Sequence, residues 1–139
     1  MCGICGFYGF SDKQLLREMC EAIQHRGPDD RGTFLDSEVG LGNQRLSIID
    51  LQSGHQPIHN EDESVWITFN GEIYNFRSLT EELKRSGHKF YTQSDTEAIV
   101  HLYEDEAESC VNKLMGMFSF AIWDSSAKKI VLARDRLGV

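Results

Sequence analysis

Strand-forming runs grouped toward both ends of the chain, two helical segments in its middle and a closing hairpin predict an α+β domain in which helices cover antiparallel sheets. The sequence has 139 residues, 40% hydrophobic and 26% charged, which fits one globular domain spanning residues 1–139. No internal repeat or low-complexity linker divides it.

Residues 2–10, CGICGFYGF, read as a strand, because Ile4, Phe7, Tyr8 and Phe10 favour extended backbone and the glycines permit close approach. Ser11 or Asp12 is placed to cap a helix running to about His25, with Leu15, Leu16, Met19, Cys20 and Ile23 at three- and four-residue steps on its core face. HRGPDDRG, residues 25–32, has the Pro, Asp and Gly content of a shaped loop. Short strand-like runs follow at TFL (33–35), VGLGN (39–43) and RLSIID (45–50), then the turn-rich QSGHQP. VWITFN, residues 65–70, is the clearest strand, and Gly71 is expected to end it.

Phe76, Leu79 and Leu83 give FRSLTEELKRS helical spacing up to Gly87, a natural stop. A further helix is expected after Ser94, with Ser94 and Glu97 in capping-box positions and Ile99, Leu102 and Tyr103 buried. FSFAIWD (118–124) and KKIVLARD (128–135), joined by the polar SSA, predict the hairpin.

With 14 Lys and Arg against 22 Asp and Glu, the net charge is −8 and no stretch concentrates basic residues, so the footprint of a nucleic-acid binder is missing. No window approaches the roughly 18 apolar residues of a membrane span, and the N-terminus lacks a basic signal-peptide region, so a cytoplasmic location is expected. Four cysteines, at positions 2, 5, 20 and 110, are too few and too unevenly placed for a disulfide framework. Cys2 and Cys5 form one C-x-x-C without a second pair at zinc spacing, and His55, His59, His88 and His101 have no spacing that argues for metal. No metal site is therefore expected.

Cys2 reads in two ways. As a small hydrophobe it would simply start a buried strand. If Met1 is removed, Cys2 instead owns a free α-amine of pKa about 7.7–8.0 beside a thiol of about 8.5, so one residue supplies nucleophile and base. A thiol attacking a carbonyl needs donors for the resulting oxyanion. Asn70 and Gly71 offer a side-chain amide and a backbone N–H, although the pair also reads as a plain Asn-Gly turn.

CGICGFYGF, HRGPDDRG, NQRLSIIDLQSGHQP, FNGEIYNF, SDTE, GMFSFAIWD and ARDRLG stand in order along the whole chain. Together they resemble the class II glutamine amidotransferase domain, a member of the N-terminal nucleophile hydrolases, and most closely the glutaminase domain of glutamine-dependent asparagine synthetases. Relatives that make glucosamine phosphate or phosphoribosylamine share the N-terminal Cys and the Asn-Gly but carry other words in place of RGPD and NGEIYN.

The resemblance implies a fold of antiparallel sheets sandwiched with helices and a definite set of roles. Cys2 would be the nucleophile, and Asn70 and Gly71 the oxyanion hole. Arg45 would hold the α-carboxylate of L-glutamine, a task suited to a planar guanidinium, while Glu72 and Asp95 receive its α-ammonium. His25, Arg26 and Asp29 would shape the pocket, and Asp135 and Arg136 would have a packing role. No cofactor or metal is implied for glutamine hydrolysis. ATP and magnesium would belong to a synthetase domain that these residues do not contain.

Members of the family continue past R-D-x-L-G with further strands, so the resemblance leads one to expect a domain incomplete at its C-terminal end, with a separate synthetase subunit or a covering chain as partner. An inactive fragment or interaction module, or a domain serving another ammonia acceptor, are the competing expectations.

Overall fold

The structure, a computed structural model, describes residues 2–46 and 54–139. Its elements are β1 (Gly3–Tyr8), α1 (Lys13–Ala22), β2 (Asp30–Leu35), β3 (Val39–Arg45), β4 (Ile58–His59), β5 (Val65–Ile73), α2 (Phe76–Arg85), α3 (Asp95–Glu106), β6 (Gly116–Asp124) and β7 (Lys129–Arg134), with 3₁₀ turns at Gln24–Arg26 and Ala107–Lys113. They build two antiparallel sheets, ordered β1-β3-β2 and β4-β5-β6-β7. Helix α1 covers β1 and β3, α3 covers β4 and β5 with α2 beside it, and the two sheets face each other through β1, β3 and β5. The α+β expectation, with antiparallel sheets between helices, holds.

Strand alternation sorts the side chains of β5 and β6. Val65, Ile67, Phe69 and Ile73 join Phe118, Phe120 and Ile122 and the buried faces of α2 and α3 in the main core. On the opposite face Trp66, Ala121 and Trp123 meet Val39, Leu41 and Phe34 of the other sheet. Farther along the same inter-sheet layer, packing turns polar. The fully buried Asn43 of β3 donates from Nδ2 to Gln56 Oε1 (3.2 Å), Thr68 Oγ1 (3.3 Å) and the Phe69 carbonyl (3.2 Å).

Several boundaries differ from expectation for local reasons. VGLGN and the start of RLSIID form one strand, β3, and Asp30–Gly32 leave the HRGPDDRG loop to lengthen β2. Residues 47–53, which hold the end of RLSIID and the start of QSGHQP, lie outside the described residues, as does Met1. The short strand β4 was not foreseen. Strand β5 does not stop at Asn70 but runs on to Ile73, with Asn70 opposite Ser119 and Gly71 opposite Phe118, so the Asn-Gly pair is not a turn.

Asp12 rather than Ser11 caps α1, accepting from the Leu15 amide at 2.9 Å. In that helix Leu16 and Cys20 are buried, whereas Leu15 is exposed. Ser94 caps α3 by accepting from the Thr96 amide (3.2 Å), but the reciprocal half of a capping box is absent. Glu97 turns instead to the preceding loop, where its carboxylate accepts from the Tyr91 and Thr92 amides and the Thr92 hydroxyl.

Cys2 and Cys5 part company because three positions along a strand place them on opposite faces. Cys5 meets Cys20 of α1, Sγ to Sγ at 3.5 Å, and the neighbouring sulfur together with burial pushes its thiol well up. Gly42 makes room for both, since a Cβ there would lie 2.5 Å from Cys20 Sγ and 2.7 Å from Cys5 Sγ. Among the described residues, no helix is long and apolar enough to cross a membrane.

Candidate active site

Cys2, Arg45, Asn70, Gly71, Glu72 and Asp95 line one cleft at the polar end of the inter-sheet layer. Residues from four places in the chain are brought together there by strand pairing. Gly3 is paired with Gln44, which sets Cys2 beside the end of β3 that carries Arg45, and the Cys2 thiol donates to the Leu46 carbonyl at 3.8 Å. Arg45 is buried. Asn70 and Glu72 extend from the sheet-facing side of β5, and Asp95 opens α3.

The direction of the Gly71 amide follows from its partner strand. Phe118 turns both of its main-chain polar groups toward the chain after β7: its carbonyl accepts from the Asp135 amide (2.8 Å) and its N–H donates to Asp135 Oδ2 (3.0 Å). In an antiparallel pair such a residue cannot also bond the strand on its other side, so Gly71 and Phe118 form a pair without hydrogen bonds. The Gly71 N–H therefore points away from β6, toward the open edge of β5.

Its neighbours on that edge are all engaged. The Val65 amide donates to Asn60 Oδ1 (3.0 Å), Phe69 to Gln56 Oε1 (2.8 Å) and Ile73 to Asp95 Oδ2 (2.9 Å). Strand β4 pairs with β5 only through Ile58 and His59, which stand opposite Ile67 and Trp66. Gly71 is thus the position on this edge left facing the cleft among the described residues. Its φ of +155° and a Cβ that would lie 2.1 Å from the Met117 carbonyl oxygen make glycine obligatory there.

Asn70 Oδ1 is buried and finds no partner among the described residues. Asp95 is almost wholly buried, and that burial raises its carboxyl pKa, with the nearby charge of Glu72 raising it further while the Ile73 and Thr96 amides oppose the shift. Two carboxylates and one guanidinium therefore share the cleft.

The HRGPDDRG loop does not line the cleft: His25, Arg26 and Asp29 are exposed, and the loop instead packs under the strands. The Asp29 amide donates to the Arg45 carbonyl (3.1 Å), and Gly27 lies so close that a Cβ would come within 2.2 Å of the Gln44 oxygen. Conversely, Gln56, Ser94, Thr96 and Met117 line the cleft without having been foreseen. Gln56 sits in a turn-rich segment with no periodicity to mark it, although a Gln-Pro pair flanking such a turn signals a fixed backbone.

The whole chain, residues 1–139, matches the family model of the glutamine amidotransferase domain, and the chain belongs to that family. Among curated proteins it is similar to asparagine synthetase [glutamine-hydrolyzing] 1 of Bacillus subtilis, at 44% identity over 98% of this chain and 23% of the relative. It is equally similar to asparagine synthetase [glutamine-hydrolyzing] 2 of Oryza sativa, at 44% identity over 100% of this chain and 24% of the relative. The chain thus spans about a quarter of the length of these relatives.

Among solved structures, the glutamine phosphoribosylpyrophosphate amidotransferase of B. subtilis superposes with a TM-score of 0.76 at 18% identity, covering 99% of this chain and 38% of that one. The allosteric regulatory enzyme of purine biosynthesis superposes at 0.80, also at 18% identity, over 97% of this chain and 37% of that one. At that identity both likenesses are of fold, and both chains share the antiparallel α+β arrangement described above.

Proposed function

We propose that the chain carries out the glutamine-hydrolysing half-reaction of an asparagine synthetase, converting the side-chain amide of L-glutamine to glutamate and ammonia. The observation that supports this best is the open-edge amide of Gly71 in the same cleft as Cys2. It is a fixed donor that no other strand consumes, in a wall shared with the nucleophile.

In this reading, removal of Met1 frees the Cys2 α-amine, which takes the thiol proton. The thiolate attacks the glutamine side-chain carbonyl carbon, and the oxyanion is held by the Gly71 N–H and the Asn70 side-chain amide. Collapse breaks the C–N bond, the α-ammonium hands its proton to the departing nitrogen, and ammonia leaves a glutamyl thioester on Cys2. The amine then deprotonates a water that attacks the thioester, giving glutamate and restoring the thiol. Arg45 takes the substrate's α-carboxylate, and Glu72 and Asp95 take its α-ammonium. Glutamine hydrolysis needs no metal or cofactor in this scheme, and ATP and magnesium would belong to a separate synthetase domain.

The test is glutamate release from L-glutamine by protein whose intact mass shows Met1 removed. Cys2→Ala is expected to abolish turnover, by about 10³-fold or more, and a thiol-reactive glutamine analogue to add one equivalent at Cys2. Well-folded protein with Met1 removed that neither turns over nor forms the thioester would overturn the assignment and leave an interaction module in its place.

A further inference from the structure

On the far side of the four-stranded sheet, three separate segments bring four side chains to one point. Glu61 comes from the β4–β5 loop, His88 from the segment after α2, and His101 and Glu104 from successive turns of α3. One ligand atom from each lies within 4.8 Å of all the others. His101 Nδ1 is 2.8 Å from Glu104 Oε2 and 3.6 Å from Glu61 Oε2, while His88 Nδ1 is 3.5 Å from Glu104 Oε2 and 3.7 Å from Glu61 Oε1.

These separations cluster around the spacing of roughly 3.3 Å that four ligands take when each stands about 2.0–2.1 Å from a tetrahedral ion. We propose that Glu61, His88, His101 and Glu104 form a binding site for a divalent first-row transition ion, zinc foremost, apart from the glutamine cleft. Two imidazoles and two carboxylates suit such an ion better than calcium or magnesium, which take oxygen ligands.

The surroundings are arranged as metal ligands require. Each histidine presents Nδ1 to the centre and has its other nitrogen against a carboxylate, His101 Nε2 at 3.4 Å from Glu97 Oε1 and His88 Nε2 at 3.0 Å from Asp105 Oδ1. That pattern fixes ring orientation with Nδ1 toward the centre, and an ion would take the place of the proton that His101 Nδ1 now shares with Glu104 (2.8 Å). The carboxylates are oriented too: Asn60 Nδ2 donates to Glu104 Oε1 (2.8 Å) and the Lys89 amide to Glu61 Oε1 (2.8 Å).

Charge points the same way. Glu61, Glu97, Glu104 and Asp105 surround two imidazoles, and the ion pairs these four carboxylates make among the described residues run to His88 and His101 alone. Even two protonated imidazoles would leave two negative charges. His101 is fully buried whereas Glu61 is 36% exposed, so an ion would reach the site past Glu61 and seat against α3. Since Asp95 begins that helix six residues before His101, roughly 9 Å along its axis, the ion would anchor the element that carries a cleft carboxylate.

The test uses the full chain, stripped with chelator and titrated with Zn²⁺ and with Co²⁺ as a spectroscopic probe. One equivalent of either ion is expected, with the intense visible bands of four-coordinate cobalt and no thiolate charge-transfer band. His88→Ala should weaken binding by about 100-fold or more, Asp105→Asn by about 10-fold through loss of the outer hydrogen bond, and Cys20→Ser not at all. Circular dichroism checks that each variant is folded. Should His88→Ala unfold, the half-exposed Glu61→Gln decides, with a loss of at least about 10-fold expected. Absence of stoichiometric binding, a thiolate band, or affinity untouched by these ligand substitutions would overturn the site.

Discussion

The two faces of β5 do different work with alternate residues of one strand. Toward the helices, Val65, Ile67, Phe69 and Ile73 are buried in a continuous apolar core. Toward the other sheet, Trp66, Thr68, Asn70 and Glu72 pass from stacked aromatics through a buried polar bridge to the cleft. The difference teaches that stability and chemistry are separated by strand parity rather than by distance. Asn70 lies beside Phe69 in sequence yet answers to a different layer.

The largest effect expected from breaking this division is at Gly71. Gly71→Ala forces a Cβ against the Met117 carbonyl and should cost on the order of 4 kcal/mol of stability, read by urea unfolding, with glutaminase activity lost alongside. Asn70→Ala should separate the two functions. Turnover is expected to fall about 10²–10³-fold with near-native stability, since it removes a donor rather than core packing. Ile67→Ala is its counterpart on the opposite face, expected to cost about 2–5 kcal/mol while kcat stays within a factor of a few. A reversal of these last two outcomes would break the comparison.

Asn43→Ala sharpens it, because this residue ties the sheets together behind the cleft. A loss of about 1–3 kcal/mol, with a smaller fall in turnover than at Asn70, is expected from unpairing the Phe69 carbonyl and removing one of the two donors to Gln56 Oε1. Asp12→Ala, at the cap of α1, should cost only about 1 kcal/mol and leave turnover unchanged. Thermal unfolding and a glutamate assay on the same samples check both.

The strands and helices that pack by simple periodicity were legible in the sequence: β6 and β7 as a hairpin, and α2 through Leu79 and Leu83. The six candidate site residues were also legible, through motif resemblance more than through spacing, and the fold gathers all six around one cleft. Glu97 was misread because a capping-box spacing says nothing about where the carboxylate turns, and here it serves the preceding loop. The burial of almost every side of α3 escaped notice because a helix wrapped by neighbours shows no polar stripe, and its Glu97 and His101 look like surface residues until their partners are known. Gln56 and the Glu61–His88 meeting depend on loops joined only in three dimensions.

Asp135 acts at a distance in sequence. By taking the Phe118 amide, and the amides of Leu137, Gly138 and Val139, it settles which way one residue of β6 faces. Peptide groups along a strand alternate, so that single choice propagates as an odd-or-even rule across the sheet to Gly71. Whether the cleft contains a donor is therefore a question of counting: Gly71 lies an even number of residues from Val65, Phe69 and Ile73, whose amides turn to the same edge. The chemistry proposed for the first residues of the chain rests in this way on a parity shared with residues 135–139.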